Sequence, residues 1–84
     1  MFTYPLINMV RTGENIRRLR ENSDMTVKEL AGILGFNSPQ AIYKWQHGEC
    51  LPTVDNLVIL SCIFQVPVDE ILVVDARESI RVIA

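Results

Sequence analysis

Apolar residues recur at helical spacing along this chain, in short blocks separated by polar turns. The blocks are Ile16 and Leu19; Leu30, Ala31 and Leu34; Ile42 and Trp45; and Leu57, Leu60 and Phe64. Steps of three and four residues place such side chains on one face of an α-helix, which is the face expected in a core. The pattern therefore predicts an all-α domain made of short amphipathic helices.

Local signals indicate where the first three helices begin. Thr12 is expected to cap the first helix, and Thr26 and Glu29 have the spacing of a capping box at the start of the second. Ser38 followed by Pro39 predicts a third helix, with the serine as the cap and the proline at the first helical position.

Two glycines mark the ends of the second and third helices. Gly35 is placed as the left-handed residue after the second helix, and Gly48 stops the third. A fourth helix is expected from a cap at Thr53 to about Gln65, and residues 68–72 predict a short fifth helix. The sequence thus predicts a five-helix bundle with short extended terminal segments.

Length and composition favour one domain without a membrane span. The chain has 84 residues, with a helical core expected at 12–73 and terminal segments at 1–11 and 74–84. It has no run of about 18 apolar residues, and residues 1–5 lack the basic and apolar regions of a signal peptide. We therefore expect a cytoplasmic protein.

Few side chains suit catalysis or metal binding. Cys50, Cys62 and the single His47 do not supply the four ligands of a structural zinc site, and a reducing compartment disfavours a disulfide. His47 and Cys50 lie at a helix stop, where sequence neighbours rarely face each other as nucleophile and base must. We expect no enzyme, metal or cofactor, and assign His47 to charge compensation at a helix C-terminus or to a phosphate contact.

Charge is unevenly distributed along the chain. The net charge of −2 argues against a polybasic protein. Residues 1–48 nonetheless carry six basic and four acidic groups, whereas residues 49–84 carry two basic and six acidic groups. The first half therefore has the sign that suits contact with DNA phosphates, although an ordinary solvated surface gives the same pattern.

The succession of these motifs resembles the Cro/repressor-type helix-turn-helix family, also called the XRE family. The matching segments are IRRLR at 16–20, TVKELA at 26–31, IYKWQHG at 42–48, PTVDNL at 52–57 and VPVDEIL at 66–72. The resemblance implies that the third helix, predicted at 39–47, is a recognition helix that enters the major groove of double-stranded DNA.

The same resemblance assigns base contacts to the outward positions of that helix, Pro39, Gln40, Tyr43 and Lys44. The amide of Gln40 matches adenine N6 and N7, and Lys44 can donate to guanine or to a phosphate. Tyr43 offers a hydroxyl and a ring, whereas Pro39 orients the helix or touches a thymine methyl group. Ordinary solvated surface is the alternative for Gln40 and Lys44. The resemblance assigns phosphate contacts to Ser38, Lys28, Arg20, Arg17 and Asn37.

Three positions depart from the family pattern. Val27 stands where a glutamine usually clamps a phosphate, so that this contact is lost, and Lys28 or a backbone amide is available to compensate. Gln46 stands where a glutamate often pairs with the arginine at the position of Arg20. A hydrogen bond is therefore expected in place of an ion pair, and Arg20 is expected to be freer to reach a phosphate. The turn at residues 36–37 is also one residue longer than usual.

The fourth helix carries more apolar side chains than one core face needs. Val58, Ile59, Cys62 and Ile63 fill much of its remaining circumference, and exposing several branched side chains is unfavourable. They can be covered by a second copy of the chain or by the two ends of the chain, paired as strands. We expect a homodimer through Ile59, Cys62, Ile63 and the C-terminal tail, with a self-covered monomer as the alternative.

Together these features predict a sequence-specific double-stranded-DNA-binding transcription regulator, a repressor, that reads the major groove with the helix at 39–47. The alternative is a protein-interaction module of the same fold, such as an antitoxin or regulator-partner domain. The acidic second half and the apolar fourth helix favour that alternative. Neither function requires a small-molecule substrate.

Overall fold

The computed structural model describes the backbone of residues 2–80 and the side chains of residues 6–75. This part of the chain is mostly helical, with a strand near each end, which confirms the predicted fold class. The elements are β1 (Phe2–Ile7), α1 (Met9–Asn22), α2 (Val27–Ile33), α3 (Gln40–Gln46), α4 (Val54–Phe64), α5 (Val68–Ile71) and β2 (Val74–Ile80).

The first helix begins earlier than predicted, and the assignment of Thr12 as its cap was wrong. Asn8 is the cap, because its side-chain oxygen accepts a hydrogen bond from the backbone N–H of Arg11 at 2.9 Å. Asparagine is as good a cap as threonine. Thr12 is instead fully buried inside α1, and its hydroxyl accepts a hydrogen bond from the backbone N–H of Val73 at 2.9 Å.

The second helix begins as predicted, with a complete capping box. The backbone N–H of Glu29 donates to the Thr26 hydroxyl at 3.0 Å, and the backbone N–H of Thr26 donates to the Glu29 carboxylate at 3.1 Å. The bond from the Thr26 backbone N–H, and after it hydrogen bonding by the Thr26 side chain, favours the charged form of the Glu29 carboxylate and lowers its pKa. After α2, Gly35 adopts the predicted left-handed conformation, with φ of 76°.

The third helix is one residue shorter at each end than the predicted 39–47. Pro39 is its cap residue, with φ of −81° and ψ of 2°, so that Ser38 is not the cap and Pro39 is not the first helical residue. The carbonyl of Pro39 accepts the N–H of Tyr43 at 3.2 Å. Gly48 ends this helix as predicted, with φ of 76°.

The fourth helix begins after Thr53 as predicted, although the threonine hydroxyl does not cap it. That hydroxyl donates to the carboxylate of Asp55, whose pKa is lowered by this bond first and by backbone hydrogen bonds second. The helix ends at Phe64, and Gln65 follows in the left-handed conformation, with φ of 56°.

The core lies between the helices and uses the apolar faces that the sequence predicts. Its most completely buried side chains are Ile16, Leu30, Ile42, Leu60 and Ile71, one from each helix. Every helix thus contributes an anchor to a single core. The other buried apolar residues are Leu19, Val27, Ala31, Trp45, Leu57 and Phe64.

The two ends of the chain pair as antiparallel strands. The sequence analysis predicted this pairing as one of two possible covers for the fourth helix. Ile7 pairs with Val74 at one end and Phe2 with Ile80 at the other, with an irregularity in register between residues 3 and 5. The described molecule measures 48 × 23 × 20 Å, an elongation that matches a strand pair projecting from the helices. Val82 and Ile83, which favour a strand in the sequence, lie outside the described residues.

A row of polar side chains on α1 fixes the segment that leads from α5 into β2. The side chain of Asn15 donates to the carbonyls of Glu70 and Ile71, at 2.6 and 2.9 Å. The side chain of Asn8 donates to the carboxylate of Asp75 at 2.8 Å. With the bond from Val73 to Thr12, these contacts attach the base of the strand pair to the helical core. In the portion of the chain described here, none of the helices is both long and apolar enough to cross a membrane.

Candidate nucleic-acid interface

The orientation of α3 is set by two buried side chains on its inner face. Ile42 is completely buried and Trp45 retains 4% of its exposure. The ring of Phe36, in the turn before α3, packs edge-on against Trp45 with centroids 5.7 Å apart. These anchors fix which side of the helix points away from the protein.

The opposite side of α3 presents three of the four predicted base-contacting residues to solvent. Gln40, Tyr43 and Lys44 are exposed, and they lie at spacings of three and four residues that place them on one stripe of the helix. Pro39 precedes this stripe and is half-buried. The structure therefore brings the predicted base-contacting residues together on one outward surface.

Three of the predicted phosphate-contacting residues gather beside the start of α3. Lys28, Asn37 and Ser38 line a cleft of about 300 Å³ whose floor includes Ala31 and Phe36. All three polar residues are exposed. A positive charge, an amide and a hydroxyl next to an exposed helix stripe have the chemistry of a site that holds the DNA backbone.

Arg20 forms more hydrogen bonds within the protein than the sequence predicts. Its Nε donates to the side-chain oxygen of Gln46 at 3.0 Å, which confirms the predicted hydrogen bond in place of an ion pair. Its Nη1 also donates to the carbonyl of Met25 at 2.6 Å. Arg20 therefore links α1 to α3 and to the start of α2. Arg17 is exposed and forms an ion pair with Glu21 at 3.4 Å.

His47 also lies on the outward side of α3. It makes two contacts that its sequence position does not predict. Its ring stacks on that of Tyr43, with centroids 6.3 Å apart and planes 28° apart. Its Nδ1 lies 3.8 Å from the carboxylate of Glu49. The sequence signal for this placement is the spacing of His47, which lies seven residues after Gln40 and four after Tyr43.

The outer face of α4 remains apolar and exposed. Val58 and Ile59 retain 52% and 40% of their exposure, Cys62 is exposed, and Ile63 is half-buried against the core. The described residues of β1 and β2 therefore do not cover these side chains. Both cysteines, Cys50 and Cys62, are free thiols. Over the residues with described side chains, no three His, Cys, Asp or Glu residues converge as metal ligands would.

Five helices around one core, with a polar stripe exposed on the third, define a helix-turn-helix DNA-binding domain. The helix-turn-helix family model matches residues 16–71 of this chain, which covers α1 from Ile16 through α5. The chain therefore belongs to the Cro/repressor-type helix-turn-helix family of DNA-binding transcription regulators.

Comparison with individual proteins agrees with this assignment. The chain is 36% identical over 59 residues to the HTH-type transcriptional activator BcrR of Enterococcus faecalis. The match covers 70% of this chain but 28% of that protein, so the chain spans about a quarter of the relative's length.

Two solved structures share the fold. The restriction-modification controller protein C.AhdI from Aeromonas hydrophila superimposes with a TM-score of 0.66 at 19% identity, covering 75% of this chain and 94% of that one. The DNA-binding domain of BldD from S. venezulae gives a TM-score of 0.64 at 20% identity, covering 76% of this chain and 94% of that one.

Proposed function

We propose that this domain binds specific double-stranded DNA sequences with α3 in the major groove, and that it represses transcription from the sites it occupies. The observation that carries the proposal is the exposed stripe of Gln40, Tyr43 and Lys44, opposite the buried anchors Ile42 and Trp45. A short helix anchored on one face and polar on the other is what groove recognition requires.

Each residue of the stripe has a distinct role in the proposed complex. Gln40 forms two hydrogen bonds to an adenine, and Lys44 donates to a guanine or to a nearby phosphate. Tyr43 contributes its hydroxyl and ring, and Pro39 sets the entry of the helix into the groove. The phosphate-contacting set is Ser38, Asn37, Lys28, Arg17 and Arg20, which fixes the register of the domain on the duplex.

We also infer that the regulator acts as a homodimer through α4 and the C-terminal tail. The exposed Val58, Ile59 and Cys62 support this inference, since a contiguous apolar helix face is unfavourable in water. A twofold dimer of this kind sets two recognition helices about 34 Å apart, which is one turn of DNA. Repression then follows from occupancy of a promoter by the paired domains.

The decisive experiment selects bound duplexes from a random DNA pool and compares variants on the selected sequence. Gln40→Ala and Lys44→Ala are each expected to lose about 1–3 kcal/mol of binding free energy. Arg11→Ala is a matched control, because Arg11 is exposed and basic but lies on α1 beside Val73. If the stripe variants keep full affinity and discrimination, the placement of α3 is wrong. A palindromic consensus supports the dimer, and a reporter gene shows the direction of regulation.

The apolar face of α4 also favours a second candidate, a protein-interaction module. In that case a stoichiometric partner covers Val58 and Ile59, and DNA is not required. Co-purification of such a partner, together with the absence of any retarded duplex in the selection experiment, distinguishes this function from DNA recognition.

A further inference from the structure

We propose that His47 is a further base-reading residue of the recognition surface. Its Nε2 accepts a hydrogen bond from an exocyclic amino group, adenine N6 or cytosine N4, in the major groove. The inference rests on the proposed placement of α3 in DNA, and it adds a position and a base chemistry to that placement.

The first argument is the position of His47 on the helix surface. Gln40, Tyr43, Lys44 and His47 lie at i, i+3, i+4 and i+7, which is one continuous stripe of an α-helix. The backbone N–H of His47 donates to the carbonyl of Tyr43 at 2.9 Å, so that helical hydrogen bonding reaches His47, the cap residue at the end of α3. At 1.5 Å per residue the stripe is roughly 10 Å long, and the major groove is roughly 12 Å wide.

The second argument is that the imidazole has a stacking partner within the protein before DNA arrives. It stacks on the ring of Tyr43, with planes 28° apart, yet 66% of the His47 side chain stays exposed. An immobilised side chain loses less conformational entropy on binding than a free one. The stack therefore favours contact with a ligand at the exposed edge of the ring.

The third argument is that Glu49 selects the chemistry of that exposed edge. Its carboxylate lies 3.8 Å from Nδ1, beyond hydrogen-bonding distance, and its negative charge favours, of the two neutral tautomers, the one that carries its proton on Nδ1. In that neutral form Nε2 is an acceptor. The major-groove edges of adenine and cytosine both present an amino donor. A phosphate requires a donor instead, and the charge of Glu49 repels it.

The test uses the full chain and the duplex selected from the random pool, in a buffer of about pH 8 where free imidazole is neutral. His47→Phe keeps a ring that stacks on Tyr43 and removes both nitrogens. We expect it to weaken binding to the selected duplex about 2- to 12-fold, the range for loss of a single hydrogen bond. Binding to an unrelated duplex should change less than about twofold. The preference for one A·T or G·C pair at the edge of the half-site should disappear.

Glu49→Gln is the companion variant, because it removes the charge that selects the tautomer and leaves the imidazole in place. We expect it to weaken the preference at the same base pair and to leave the preference read by Gln40 unchanged. Both residues are exposed, and urea unfolding curves that match the wild type establish that each variant is folded.

Three results overturn the inference. A loss that is equal on selected and unrelated duplexes, with a shallower salt dependence, makes His47 a phosphate contact. Unchanged binding by His47→Phe, while Gln40→Ala loses discrimination, removes His47 from the site and leaves the proposed function standing. Failure of the wild-type chain to bind any duplex overturns the proposed function together with this inference.

Discussion

Gly13 of α1 lies directly against the backbone of Trp45 in α3, with no space for a side chain between them. A Cβ atom built on Gly13 would collide with the carbonyl oxygen of Trp45 and lie 2.8 Å from that of Gln46. The two helices can cross this closely only because the residue is glycine. The crossing holds α3 against α1, the longest helix in the described part of the chain.

Gly13→Ala should therefore destabilise the protein by about 1–3 kcal/mol, because the overlap is with backbone atoms that cannot rotate away. Urea unfolding measures the change. Gly32→Ala is the matched control, since nothing lies within 4 Å of a Cβ at that exposed position of α2. The control should gain about 0.5–1 kcal/mol from the better helix propensity of alanine. Equal stability of the two variants would contradict the close crossing.

Thr12→Val should cost about 1–3 kcal/mol, because it removes a buried hydroxyl and leaves the half-buried backbone N–H of Val73 without its acceptor. Thr12→Ser keeps the hydroxyl and should lose less. Thermal unfolding gives the stability difference, and hydrogen exchange of the Val73 amide reports the bond itself. Slow exchange of that amide in Thr12→Val would show that the hydroxyl is not its partner.

The capping box makes stability depend on pH through Glu29. Its pKa is below the ordinary value of 4.5 in the folded protein, owing to hydrogen bonds from the backbone and side chain of Thr26. The unfolded chain therefore binds more protons in this range, and stability falls as the pH falls from about 5 through the lowered pKa. Above pH 5 the contribution is fully present.

Glu29→Gln keeps a residue that can form a capping box but removes the titrating group. We expect its stability to fall less steeply than that of the wild type between about pH 5 and pH 3. Urea unfolding midpoints across this range supply the comparison. Parallel curves for the two proteins would mean that the box does not favour the charged carboxylate.

Ile59→Glu should convert the proposed dimer into a monomer, since it places a charge on an apolar face that a second copy would cover. Sedimentation equilibrium at tens of micromolar measures the mass. Ile33→Glu is the control, because Ile33 is an exposed apolar residue with 55% exposure at the end of α2. A wild-type chain that sediments as a monomer at this concentration would exclude the dimer.

Local signals predicted much of the fold because their partners lie a few residues away. Thr26 and Glu29 form the capping box, and Gly35 and Gly48 end their helices in the left-handed conformation. Thr12 was misassigned because its hydrogen-bond partner is 61 residues away in the sequence. A threonine whose hydroxyl accepts a hydrogen bond from a distant segment has the same local sequence as one that caps a helix.

For the candidate site, the sequence predicted which residues share a surface but not the contacts between their side chains. The family resemblance assigned Gln40, Tyr43 and Lys44 to the outward side of the third helix, and the structure has them exposed on one side of α3. The stack of His47 on Tyr43 depends on the rotamers that both side chains adopt, which spacing does not fix. The double attachment of Arg20 depends equally on how α1, α2 and α3 pack.

The pairing of β1 with β2 also bears on how the domain is made during translation. The strand at residues 2–7 is synthesised before the helices, and its partner at residues 74–80 is synthesised after them. The helices can pack on one another while β1 still lacks a neighbour. The newborn chain therefore carries an unpaired strand edge until residues 74–80 have emerged, and during this interval β1 is open to pairing with other chains.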